Sequence, residues 1–160
     1  MRRRGDRLFH SWVALLVLVS LVLMGCGSKE EKKAGHLEKA REYIAKNELR
    51  KAAIELKNVV QLDPWDDAAF VELGETYLKL QEGGEAFKAF SKAATINPGN
   101  LKAQLKVGQI FLLGRQAEEA RKKADLILQD APDNIEGLSL LSGVQVQEKD
   151  LEGDLLEGRL

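Results

Sequence analysis

Residues 67–100 read DAAFVELGETYLKLQEGGEAFKAFSKAATINPGN, and this stretch decides the fold. Phe70, Leu73, Gly74 and Tyr77 fall at i, i+3, i+4 and i+7, the spacing of one helix face. Gly83-Gly84 is expected to break that helix. Ala86, Phe90, Ala93 and Ala94 mark the apolar face of a second helix. Asn97-Pro98-Gly99-Asn100 ends it, because proline disfavours helix in the residue before it. The stretch is therefore a helical hairpin.

The same pattern recurs in both directions. The three prolines, Pro64, Pro98 and Pro132, stand 34 residues apart. So do Ala52, Ala86 and Ala120, and so do Tyr43, Tyr77 and Phe111. Ala40, Gly74, Gly108 and Ser142 form a fourth column at that period. Independent columns with one period are the signature of a stacked repeat. The small residues let the two helices of a hairpin approach, facing Ala86 and its equivalents. The aromatic column fills the space between neighbouring hairpins.

These residues resemble the tetratricopeptide repeat (TPR), whose pattern is W-x2-L-G-x2-Y, then A-x3-F, then P. Here Phe70-x2-Leu73-Gly74-x2-Tyr77, Ala86-x3-Phe90 and Pro98 match it, with Phe in place of Trp. The resemblance implies an all-α solenoid of antiparallel hairpins over residues 36–150, with about three and a half repeats. These are expected at 33–66, 67–100 and 101–134, with a partial one from 135 to 150. His36 and Lys39 stand where apolar residues are expected, so the first helix should be more exposed. Ala124 stands where a large residue should be. Asp154 occupies the position of Ala52, Ala86 and Ala120, so 151–160 reads as a degenerate tail with its neighbours Leu151, Leu155 and Leu156. Ile135, Leu138 and Leu141 would then form a partly uncovered face, and the chain reads as the N-terminal piece of a longer TPR protein or a natural truncation of one.

The opening residues follow other rules. Residues 1–7 are basic, and an apolar run extends from Trp12 to Met24 with Ser20 its one polar member. That run is shorter than the roughly 20 residues that span a bilayer. A basic start, a short apolar middle and small residues at the end describe a secretory signal. Leu23-Met24-Gly25-Cys26 resembles the bacterial lipobox. The resemblance implies a signal peptide over 1–25, cleavage before Cys26, and diacylglycerol on Cys26 that anchors the chain to a membrane. The alternative is an uncleaved anchor with an incidental cysteine. Gly27, rather than Asp, implies a cell-envelope location on the outer membrane facing the periplasm, if the organism is Gram-negative. Residues 27–35 carry no apolar period and read, with Cys26, as a flexible tether.

Composition excludes little. The chain has 160 residues, 44% apolar and 31% charged, with a net charge of −1. Loss of the first 25 residues takes 24 basic and 25 acidic side chains to 20 and 24, so the mature chain carries −4. Nothing in this balance points to nucleic acid. The single cysteine permits no internal disulfide. No catalytic set or metal cluster is legible, no cofactor is expected, and His36 is the one histidine beyond the signal. Gly83-Gly84 lacks the Gly-Lys-Ser/Thr of a phosphate loop. Arg121-Lys122-Lys123 reads as a solvated helix face. Trp65, after Pro64, reads as a packed turn residue.

Function therefore rests on the resemblance. In TPR proteins the first helix of each hairpin lines a concave groove. Carried over, its positions are Leu37, Arg41 and Ile44, then Val71, Glu75 and Leu78, then Lys102, Leu105, Gln109 and Leu112. The floor would be apolar and the partner a protein or peptide segment. The carboxylate clamp of some TPR proteins needs Lys and Asn where this chain has Leu37 and Arg41, and a further Asn where it has Glu72, so it is not met. Ala52-Ala53-Ile54-Glu55-Leu56-Lys57-Asn58 and the Asp-Pro that follows also resemble the start of longer TPR lipoproteins of PEP-CTERM/exosortase systems, which accompany exopolysaccharide production. The expectation is a non-enzymatic, membrane-anchored scaffold in envelope assembly or export. The alternatives are an enzyme whose catalytic part lies in further C-terminal sequence, or a structural stub.

Overall fold

The computed structural model describes residues 28–156, with side chains through Gly153. The signal segment 1–25 and Cys26 lie outside the described residues. Seven helices and no strand are found among the described residues: α1 (Lys29–Ala45), α2 (Leu49–Leu62), α3 (Asp67–Lys79), α4 (Gly83–Ile96), α5 (Leu101–Leu113), α6 (Ala117–Asp130) and α7 (Ile135–Leu156). Each packs on the helix before it, so α1–α2, α3–α4 and α5–α6 form three hairpins and α7 packs on the third. This is the TPR solenoid.

Two kinds of corner make it. Between hairpins, Asp63, Asn97 and Ala131 are extended before their prolines, and the amides of Asp66, Asn100 and Asn134 donate back to their carbonyls. Proline is favoured at the second position of such a turn. The residue that closes each turn then caps the next helix. Asp66, Asn100 and Asn134 accept from the amides of Ala69, Ala103 and Gly137 at 2.7 to 3.0 Å.

Within hairpins the stop is a single left-handed residue. Asn47, Gln81 and Arg115 have φ of 59°, 62° and 58°. The amides after them, of Glu48, Glu82 and Gln116, reach back to the carbonyls of Tyr43, Tyr77 and Phe111 at 2.8 to 2.9 Å, a Schellman closure. The expected break at Gly83-Gly84 is thus displaced. Gln81 ends the first helix, and the two glycines are the first residues of α4.

The columns of the repeat form the core. Ala40, Ala52, Ala86 and Ala120 are fully buried. A Cβ on Gly74 would lie 2.7 Å from the ring of Phe90, which is itself fully buried. The aromatic column does bridge hairpins: Phe111 meets Phe87 edge to face at 5.3 Å, and Lys57 of α2 lies over the Tyr77 ring at 5.6 Å.

Four expectations are corrected. Residues 29–35 are not a tether but the first two turns of α1. Ser28 accepts from the Glu31 amide at 3.1 Å, and Glu30 and Glu31 favour the positive end of the helix dipole. Lys33 pairs with Asp63 at 2.6 Å and Asp66 at 3.0 Å, which pins that turn to the next corner. Second, the partial repeat does not give way to a degenerate tail after 150: α7 runs to Leu156, because no left-handed residue interrupts the stretch 147–152. Third, Ser142 is exposed and does not face a partner helix as Gly74 and Gly108 do. Fourth, Trp65 is not packed: it is 74% exposed.

Candidate functional site

The first helices α1, α3 and α5 lie side by side and, with the start of α7, make one face. Ion pairs stitch them. Arg41 of α1 donates to Glu72 of α3 at 2.7 Å, and that carboxylate holds Arg41 above the ordinary guanidinium value. Lys102 of α5 reaches Glu75 of α3 at 2.8 Å. Exposed pairs of this kind contribute little stability and chiefly fix geometry.

Beneath the pairs, the ten expected groove residues separate into layers. Val71 is 4% exposed and belongs to the core, so it lies under the groove and not in it. Its side chain is part of the core cluster that runs through the three hairpins. Leu37 and Ile44 are half-buried against the same core. Leu105 and Leu112 are half-buried against the cluster of Ala124, Ile127 and Leu140. Leu78 is the most open apolar member, at 39%. Arg41, Glu75, Lys102 and Gln109 stand above this floor.

The structure brings four of the ten together. Glu75, Lys102, Leu105 and Gln109 line a recess of about 460 Å³, joined by Leu101, Lys106, Asn134 and Glu136. Glu136 was not expected there. It stands 34 residues after Lys102, so the repeat register, carried one step further along the chain, would have found it. The recess thus has two lysines and two glutamates over an apolar wall. It is charged but balanced, suited to a segment with mixed side chains and backbone groups to pair.

The basic run 121–123 is spent internally. Arg121 forks onto Glu148, Lys122 meets Glu119 at 2.8 Å, and Lys123 donates to Gln104 at 2.9 Å. These partners raise Arg121 and Lys122 above their ordinary values. Gln104, buried in the position that holds Phe70 one repeat earlier, donates to the Pro98 carbonyl at 3.1 Å. His36, in the same column, hydrogen-bonds Glu55 at 2.5 Å through Nδ1. Among the described residues no group of three or more His, Cys, Asp and Glu could hold a metal ion. Among them, too, no helix is long and apolar enough to cross a membrane.

Known proteins share this shape. A fragment of MamA from Desulfovibrio magneticus superposes with a TM-score of 0.68 at 18% identity, over 76% of this chain and 69% of that one. The fold is the TPR fold. The second TPR domain of human RPAP3, solved with the HSP70 peptide SGPTIEEVD, gives 0.66 at 17% identity over 74% and 98%. The first TPR of Spaghetti, bound to the HSP90 peptide SRMEEVD, gives 0.65 at 21% over 71% and 90%. In sequence, human Superkiller complex protein 3 is 27% identical over 96 residues, 60% of this chain. The chain spans about 6% of that protein's length. No family model matches the sequence.

Proposed function

We propose that this protein is a lipid-anchored interaction scaffold that holds an extended segment of a partner protein across the inner face of its solenoid. The observation that carries the reading is the recess between α3, α5 and α7, where four groove positions converge on one cavity large enough for several side chains. Solved proteins of this shape hold peptides, and a repeat array presents an extended face for that purpose. The anchor is Cys26, on the strength of the Leu23–Cys26 motif that closes the apolar run. The setting is the cell envelope, in assembly or in export of protein or exopolysaccharide.

The bound segment differs from the EEVD peptides of the RPAP3 and Spaghetti domains. Arg41 and Lys102 are already engaged by Glu72 and Glu75, which would also repel an acidic terminus. SRMEEVD should therefore show no saturable binding by fluorescence anisotropy. A photo-crosslinking residue at Gln109 tests the site itself. It should capture a discrete partner in intact cells, whereas the same residue at solvent-facing Lys88 of α4 should not. Equal capture at both places would mean that the inner face is not the binding surface.

A further inference from the structure

Trp65 is 74% exposed at the tip of the α2–α3 turn, with the Lys92 ammonium 5.8 Å from its ring centroid. Its counterparts one and two repeats on are Gly99 and Asp133, so the repeat itself does not call for an aromatic here. What sets this turn apart is its neighbour. Lys33, in the second turn of α1, pairs with Asp63 and Asp66 on either side of Pro64-Trp65. The turn therefore sits beside the start of the first helix.

That start is close to Cys26. Ser28 caps α1, so three Cα-to-Cα steps separate Cys26 from Lys29, at most about 11 Å of chain. A lipid on Cys26 would hold this end of the solenoid against the bilayer surface. An indole prefers the boundary where its ring meets acyl chains and its N–H meets water. The charges at this end permit the approach. Lys33 offsets the carboxylates of Asp63 and Asp66, Asp67 accepts from Asn97 and Asn100, and Lys29 and Lys32 accompany Glu30 and Glu31.

We propose that Trp65 is a second membrane contact, which inserts at the lipid surface beside the acylated Cys26 and stands the solenoid on its α1–α3 end. The proposal rests on the lipid-anchor reading of Cys26. Acyl chains supply the attachment. Trp65 supplies orientation, so that the inner face opens sideways and the Gln81 corner points away from the membrane.

The molecule provides its own probe. Of the two tryptophans in these 160 residues, Trp12 leaves with the signal, so Trp65 is the indole that remains among them. The native protein, purified from membranes, is reconstituted in phosphatidylethanolamine/phosphatidylglycerol vesicles with or without brominated phosphatidylcholine. Mass spectrometry reads the Cys26 peptide of the same sample. Trp65 emission should shift to the blue, lose intensity in the brominated vesicles, and be shielded from iodide. A Trp65→Phe/Lys79→Trp variant moves the indole to the other end of α3, roughly 20 Å away. It should lose nothing to bromolipid. A diacylated chain whose Trp65 stays open to iodide and unquenched by bromolipid overturns this proposal alone. Equal quenching at both positions overturns the orientation. A chain without diacylglycerol on Cys26 overturns the anchor reading and this proposal with it.

Discussion

The second and third hairpins share one register but fill it differently. In the second, Gly74 lies flat against Phe90, and the hairpin closes its interior with its own ring. In the third, Phe90's counterpart is Ala124, which cannot reach as far. Gly108 instead receives Leu140 of α7, whose Cδ2 would stand 2.5 Å from an added Cβ. The last helix accordingly packs on both helices of the third hairpin, not only on its neighbour. The period decides where elements lie. It does not decide which element supplies the filling.

The largest test of that difference is Phe90→Ala, which should cost about 3–5 kcal/mol because the buried ring leaves a cavity. Leu140→Ala should cost less, about 2–3 kcal/mol, and loosen α7 and the third hairpin while α3–α4 keeps its protection. Urea melts with hydrogen exchange read both quantities. Equal loss of protection in the second and third hairpins after Leu140→Ala would show that they are one unit.

The glycines come next. Gly74→Ala pushes a methyl group into a fully buried ring and should destabilise by about 1–3 kcal/mol. Gly108→Ala meets the flexible end of Leu140, although Lys123 Cβ at 3.0 Å gives less room, and should cost about half as much. Adding Leu140→Ala to Gly108→Ala should recover part of the second loss, since the two share one space. Simple additivity in thermal melts would refute the shared-space account.

Smaller effects separate the corners. Gln81 adopts a left-handed conformation that costs a side chain energy, so Gln81→Gly should raise stability by up to about 1 kcal/mol. Asn47→Gly should gain less, because Asn tolerates that region. A lower melting temperature for Gln81→Gly would show that its side chain matters. The smallest effect is in acid. Asp67 is held below the usual carboxylate value, first by the Asn100 amide and also by that of Asn97. A depressed carboxylate stabilises the fold above its unfolded pKa and loses that contribution as pH falls through the folded value, so the window lies at and below about pH 4. Asp67→Asn should flatten the acid limb of a stability–pH curve. An unchanged limb would assign the loss to the other depressed carboxylates, among them Asp63 beside Lys33 and Glu148 beside Arg121.

Much of this was legible beforehand, and the reasons are specific. Prolines, alanines and aromatics at one period demand hairpins, because each column has a separate steric task. The groove positions came from the family resemblance, and the recess gathers four of them, Glu75, Lys102, Leu105 and Gln109. The start of α1 was missed because a polar stretch was read as a loop. Ser28 and Glu31, spaced as a capping box, were the available signal. Val71 was misplaced because one helix face touches both its own partner and the preceding hairpin. The rotation of α7, which buries Leu140 and Val144 and leaves Ile135 and Leu138 78% and 47% exposed, depends on the space Ala124 vacates. A position-by-position comparison of repeats does not report a vacancy filled from elsewhere.

The corners at Asn47, Gln81 and Arg115 are closed by backbone hydrogen bonds. An amide, a longer amide and a guanidinium serve the same joint. A joint closed by the backbone accepts different side chains at its left-handed position. Duplication or deletion of a 34-residue unit, cut at any of these residues, would leave every remaining joint intact. The gene can therefore change the length of the solenoid face by whole modules.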